Sequence, residues 1–164
     1  MENLDINEFK KLLVIIKDAP NIRIGHFSNS STEIAKILQE YANEKNYEYL
    51  LYATNQEYAK KAQDSIKNVK FFNLKRAKYM LNGKFFDYVF VEDDIKDIES
   101  FVKKVHAIIK NAGQIIIFVK SKDYSAIDEW NRCLEENYYV ANSQIELGST
   151  MSVIISKKMH GWGG

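Results

Sequence analysis

The sequence predicts an α/β domain: a mostly parallel sheet covered by helices on both faces and closed by an antiparallel hairpin. Three observations carry this. Short apolar runs of strand length alternate with stretches of helical period from one end of the chain to the other. The strands run apolar throughout, as in parallel sheets buried on both faces by right-handed crossovers. The last two strand candidates are joined only by Gly148-Ser149, with no helix between them.

Taken in order, Ile6, Phe9, Leu12, Leu13 and Ile16 recur at helical spacing and make an N-terminal helix within residues 1–19. Pro20 separates it from strand one, Ile22 to Phe27. Ser30 with Glu33 has capping-box spacing, followed by Ile34, Ile37, Leu38 and Tyr41. Strand two is Tyr49 to Tyr52, and Thr54 with Glu57 repeats the capping spacing before a helix over Tyr58 to Ile66. Strand three is Val69 to Phe72. Leu74, Ala77 and Leu81 suggest a short helix, and Asn82-Gly83 a turn.

Strand four is Phe86 to Val91. Ile98, Phe101, Val102, Val105, Ile108 and Ile109 form the clearest amphipathic stripe, which Asn111-Ala112-Gly113 is expected to end before strand five, Gln114 to Val119. A helix with Ile127, Trp130 and Leu134 precedes the hairpin of Tyr138 to Leu147 and Met151 to Ser156. Residues 158–164 form a Gly-rich tail. The 164 residues therefore read as one domain with its core over 21–157.

Composition bounds the function. Lys plus Arg number 23 against 22 Asp plus Glu, so there is no general attraction to nucleic acid or acidic lipid. Lys60, Lys61, Lys67, Lys70, Lys75, Arg76, Lys78 and Lys84, with Phe71, Phe72 and Tyr79 among them, are better read as helix faces and strand core than as a nucleic-acid surface. The longest apolar runs, Leu12 to Ile16 and Ile115 to Val119, fall far short of the roughly 20 residues of a membrane helix. With Glu2 and Asp5 at its start, the chain has no secretory pattern, and the expected setting is cytoplasmic. Cys133 is the single cysteine and sits in a helical pattern, as a core residue would. His26, His106 and His160 are too scattered for zinc, and no hydrolase or Walker motif is present.

Phe86-Asp87-Tyr88-Val89-Phe90-Val91, its following helix, and Ile109-Lys110-Asn111-Ala112-Gly113-Gln114-Ile115-Ile116-Ile117 resemble strand four, its helix and the turn into strand five of the class I S-adenosylmethionine (SAM) dependent methyltransferases. With the terminal hairpin, the resemblance covers roughly 21–157. It implies a Rossmann-like three-layer sandwich with a seven-stranded sheet in the order 3-2-1-4-5-7-6, and a ligand crevice beyond the strands' C-terminal ends.

The family's cofactor motifs are largely replaced. Its strand one ends in an acid and a Gly-x-Gly-x-Gly loop. Set against Ile22-Arg23-Ile24-Gly25-His26-Phe27-Ser28-Asn29, only Gly25 matches, with Phe27 and Asn29 at the other glycines and Arg23 at the acid. The ribose-binding acid after strand two falls on Ala53, with Asn55 nearby, and Lys75 stands near the place of the acid after strand three. Within about 6 Å of the SAM sulfonium, Arg23 would cost of order 3 kcal/mol at an effective dielectric near 20, unless it pairs with Asp87 or Glu92. The cofactor-lining candidates are Gly25, Ser28, Asn29, Asn55 and Glu92; no catalytic residue and no metal ligand is assigned. Glu92, Asp93 and Asp94 lack the further ligands a Mg²⁺ site needs, and Asp94 is expected to cap the next helix instead. Ser28 to Thr32 could hold an anion at a helix N-terminus, or simply cap it.

These readings lead to a methyltransferase-like protein with a degraded SAM site and a binding or interaction role toward a protein or small molecule. No cofactor is then expected. The alternative is an active methyltransferase with an atypical pocket holding SAM or S-adenosylhomocysteine. Nucleic acid and membrane are not expected partners, and a homo-oligomer is left open.

Overall fold

Gly25 sits at the middle of the central strand, where an added Cβ would meet the Phe86 ring at 3.1 Å. In the computed structural model, which describes residues 5–79 and 84–159, this strand, β1 (Arg23–Ser28), pairs in parallel with β2 (Glu48–Ala53) and β4 (Phe86–Val91). Beyond β2 lies β3 (Val69–Phe71), and beyond β4 lies β5 (Ile109–Lys120), both parallel. The last two strands, β6 (Tyr139–Glu146) and β7 (Met151–Lys158), form the antiparallel hairpin, with β7 inserted between β5 and β6. The seven-stranded order is therefore 3-2-1-4-5-7-6, as the resemblance implies.

Helices cover both faces. On one, α1 (Ile6–Leu12, continued by a 3-10 turn), α2 (Glu33–Lys45) and α3 (Gln56–Ala62) bury Phe9, Leu12, Ile34, Leu38 and Tyr58 against Leu51, Phe90 and Ile116. On the other, α4 (Ile98–His106) and α5 (Tyr124–Glu136) bury Phe101, Val102, Val105, Trp130 and Leu134 against Phe27, Val89 and Ile115. Each such apolar side chain contributes about 1.5–3 kcal/mol relative to exposure. Cys133 is buried among them.

Local expectations fail where capping and chain reversal depend on tertiary partners. Ser30 is not the cap of α2. Thr32 holds that position without a side-chain bond, while the Glu33 N–H donates to Ser31 Oγ. Asn55, not Thr54, caps α3 by accepting from the Tyr58 N–H, and Asp97, not Asp94, caps α4.

The stripe ending in Ile108 and Ile109 is not all helix. α4 stops at His106, Ile109 begins β5, and Lys110 to Gly113 bulge out where the pairing jumps from Phe86–Ile109 to Tyr88–Gln114. Ala112, rather than Gly113, takes the positive φ, 65°. Gly113 is required by space, since a Cβ would sit 2.7 Å from Ile109 Cγ2. The short helix expected over Leu74 and Ala77 is absent: the chain turns there while Tyr79 inserts into the core and donates its hydroxyl to Leu74 O. Leu81, the Asn82-Gly83 turn and residues 160–164 of the tail lie outside the described residues.

Candidate functional site

In a doubly wound sheet the ligand crevice lies beyond the C-terminal ends of the central strands. Here those ends are His26-Phe27-Ser28 of β1, Tyr52-Ala53 of β2 and Val91-Glu92 after β4. They are zipped closely by backbone bonds: Thr54 N donates to Ser28 O (3.1 Å), Glu92 N to Phe27 O (2.9 Å) and Phe72 N to Ala53 O (2.8 Å).

This placement moves two of the sequence assignments. β1 continues through Ser28, so the loop before α2 is Asn29 to Thr32, and Gly25 is a mid-strand residue under Phe86, away from that loop. Arg23 begins β1, about 16 Å of strand from Ser28. Its Nε donates to Glu48 (2.8 Å) and its guanidinium lies 4.3 Å from the centre of the Phe85 ring. Only its backbone N–H reaches Asp87, whose carboxylate pairs with Lys110. The expected repulsion between Arg23 and a sulfonium therefore does not arise.

A buried polar cluster occupies the α1–α2–α3 side of the strand ends. His26 is fully enclosed, with one ring nitrogen 2.7 Å from the Tyr49 hydroxyl and the other 2.9 Å from Glu92 Oε1. Ser28 donates to the same oxygen at 3.2 Å. Burial holds the Tyr49 hydroxyl well above its ordinary pKa, with Tyr58 and Glu92 adding to the effect. The Tyr49 hydroxyl therefore keeps its proton. Glu92 Oε2 is buried with no partner, an uncompensated acceptor of the kind that costs about 1–3 kcal/mol. The sequence carries a trace of this cluster: His26 and Ser28 interrupt an apolar strand two residues apart and so share one face. Tyr49 and Tyr58 gave no such signal.

The other side of the strand ends is aromatic. The Phe27 ring packs on Tyr52 (5.0 Å between centroids), Phe72 (5.3 Å), Phe101 (5.3 Å) and Tyr79 (6.3 Å). Burial pushes the Tyr52 and Tyr79 hydroxyls up to about 12, and Tyr52 Oη has no hydrogen-bond partner. Above β1, the Thr54 hydroxyl donates to the Asp93 carboxylate, linking the ends of β2 and β4. Burial raises the Asp93 pKa, with the Thr54 bond opposing it.

Of the remaining candidates, Asn29 is exposed, and Asn55 is exposed with its carbonyl engaged in capping α3. Glu92 is buried while Asp94 is exposed, so the two do not converge. Among the described residues no three His, Cys, Asp or Glu side chains gather as a metal site. Of the aromatics among the lysines, Phe72 and Tyr79 are in the core and Phe71 is exposed. None of the helices in the described residues is long and apolar enough to cross a membrane.

The strand order and reversed β7 define the class I SAM-dependent methyltransferase-like fold. Solved structures share it. A SAM-dependent methyltransferase from Aquifex aeolicus is 14% identical with a TM-score of 0.74, the match covering 92% of this chain and 89% of that one. A SAM-dependent O-methyltransferase from Thermotoga maritima is 14% identical with a TM-score of 0.75, covering 96% and 66%. A TehB-like SAM-dependent methyltransferase from Corynebacterium glutamicum is 13% identical with a TM-score of 0.71, covering 94% and 89%. No family model and no curated protein matches the chain.

Proposed function

We propose that this chain is a methyltransferase-fold protein whose cofactor crevice is filled by its own side chains, and that it acts by binding a protein or small molecule instead of by ordinary methyl transfer. The observation that carries this reading is Phe27, which sits at the end of β1 inside the Tyr52, Phe72, Tyr79 and Phe101 cluster. The Thr54–Asp93 hydrogen bond spans the same strand ends. On this reading the residues present do not fit SAM. The loop Asn29 to Thr32 has no glycine to let its backbone approach the cofactor closely, and the Ala53 side chain has no acceptor for a ribose. Glu92, whose Oε2 has no partner, is already engaged through Oε1 by His26 and Ser28.

A second reading keeps catalysis, favoured by the fold's likeness to SAM-dependent enzymes and by the partnerless Glu92 Oε2. Ser28, Asn29 and Asn55 would then surround the cofactor. Calorimetric titration of the purified chain with SAM and S-adenosylhomocysteine separates the two. No heat at millimolar ligand is expected; micromolar binding of either ligand would overturn the first reading and favour the second.

A further inference from the structure

A cavity of about 660 Å³ opens beside the crevice on its α1–α2–α3 side. None of the strand-end residues His26, Phe27, Ser28, Tyr52, Ala53 or Glu92 lines it. Its wall holds three lysines from three separate helices: Lys10 of α1, Lys36 of α2 and Lys61 of α3. Among the described residues none of the three is in an ion pair, unlike Lys11, Lys103 and Lys110. Glu33 is the single carboxylate of the lining. Three like charges brought to one concave surface repel one another, and a bound anion relieves that repulsion.

The lining also supplies hydrogen-bond donors. Thr32 is the N-cap of α2, yet its hydroxyl makes no capping bond, so it is available to the cavity along with Ser30. Tyr58 fixes the loop by donating to Ser31 O at 3.0 Å. Ile6 and Ile37 add apolar surface to the lining, so the cavity offers both cationic groups and contact for a carbon skeleton.

We propose that this cavity binds a phosphorylated small molecule, with Lys10, Lys36 and Lys61 neutralising its phosphate and the Ser30 and Thr32 hydroxyls donating to the phosphate oxygens. The site shares the Ser30 to Thr32 loop with the crevice but none of the crevice's strand-end residues, so phosphate binding does not require SAM to bind there.

The test is a ¹H–¹⁵N NMR titration of the full chain at low salt with inorganic pyrophosphate, ribose 5-phosphate and, as an uncharged control, adenosine. The phosphates are expected to give saturable shifts at the amides of residues 30–37 and 58–61, and adenosine none. The Lys36→Gln/Lys61→Gln double variant should weaken the binding about tenfold or more, as the loss of two partly screened charge contacts implies, while Lys60→Gln, on α3 but outside the lining, leaves it unchanged. No saturable shift at about 10 mM phosphate ligand, or equal affinity in the double variant, would overturn the proposal. So would binding of a single-stranded oligonucleotide where the small phosphates are silent. SAM added to the same sample reads the crevice independently, through the amides of residues 26–28 and 91–93.

Discussion

The Arg23 guanidinium donates to Glu48 at 2.8 Å at the N-terminal edge of the sheet, the far end of β1 from its ligand crevice. The residue that by sequence alone would most oppose a cationic cofactor is therefore a surface ion pair resting on Phe85. Arg23→Gln should leave SAM and S-adenosylhomocysteine titrations unchanged. It should lower stability by less than about 1 kcal/mol, as expected for an exposed pair. A change in the relative affinity of the two ligands would contradict this placement.

Phe27 is the keystone of the aromatic cluster. Phe27→Ala removes a fully buried ring from among four aromatic neighbours and should cost about 3–5 kcal/mol, read as a shift in the urea midpoint with unchanged slope. A loss under about 1 kcal/mol would mean that the ring is not packed as described.

Tyr52 carries a buried hydroxyl without a partner in the same cluster. Tyr52→Phe deletes that desolvated group and keeps the ring, so thermal unfolding should show a gain of up to about 1 kcal/mol. Destabilisation would show that the hydroxyl has a partner in solution.

Glu92 is 4% exposed and accepts from both His26 and Ser28. Glu92→Ala strands both donors in the core and should cost about 3 kcal/mol or more, whereas Glu92→Gln, which keeps one acceptor oxygen, should cost less. Equal effects of the two substitutions would mean that the negative charge, which both remove, outweighs both the volume and the single acceptor oxygen that Gln retains.

Two groups set the acid-side stability, with opposite signs. Burial, reinforced by Lys158 and Lys84, lowers His106 from its ordinary 6.5 to about 4. Between these values the unfolded chain binds more protons, so His106 contributes stability that is present above about pH 6.5 and lost as pH falls through about 4. Asp93 is raised above 3.8, chiefly by burial, so its contribution is present at low pH and lost as pH rises through its folded value. His106→Gln should flatten the melting-temperature profile between about pH 6.5 and 4. Asp93→Asn, which keeps an acceptor for Thr54, should raise stability at neutral pH, with the gain vanishing in acid. An unchanged His106→Gln profile would show that the imidazole is solvated in the native state.

Periodicity located all seven strands, with ends within two residues except at the start of β5, five residues earlier than read, because apolar runs record burial on both faces. Phe86 to Val91 is correct to the residue. The same signal misled at Ile108 and Ile109, whose burial continues from helix into strand without a break in hydrophobicity. Caps were misplaced by one to three residues because Ser, Thr, Asp and Asn are clustered at each helix start. Which of them caps depends on what else competes for the side chain: Thr54 is taken by Asp93, which leaves Asn55 to cap α3.

The candidate site was only partly legible. Setting the family's motif on Ile22 to Asn29 puts Gly25 and Arg23 among the cofactor-facing positions, whereas Gly25 lies mid-strand and Arg23 at the start of β1. Which of these positions faces the crevice depends on the pairing of β1 with β2 and β4. His26, Ser28 and Glu92 stand out in the sequence as polar residues beside apolar strands, but their convergence on one oxygen joins residues more than sixty positions apart.

By itself the sequence determined the alternation of strands and helices and the terminal hairpin, because these follow from residue type and spacing. Tertiary structure decided which end of β1 each residue occupies, which polar groups are buried together and where three lysines from three helices meet. Those relations depend on strand register and helix packing, and they bring together residues that no local pattern connects.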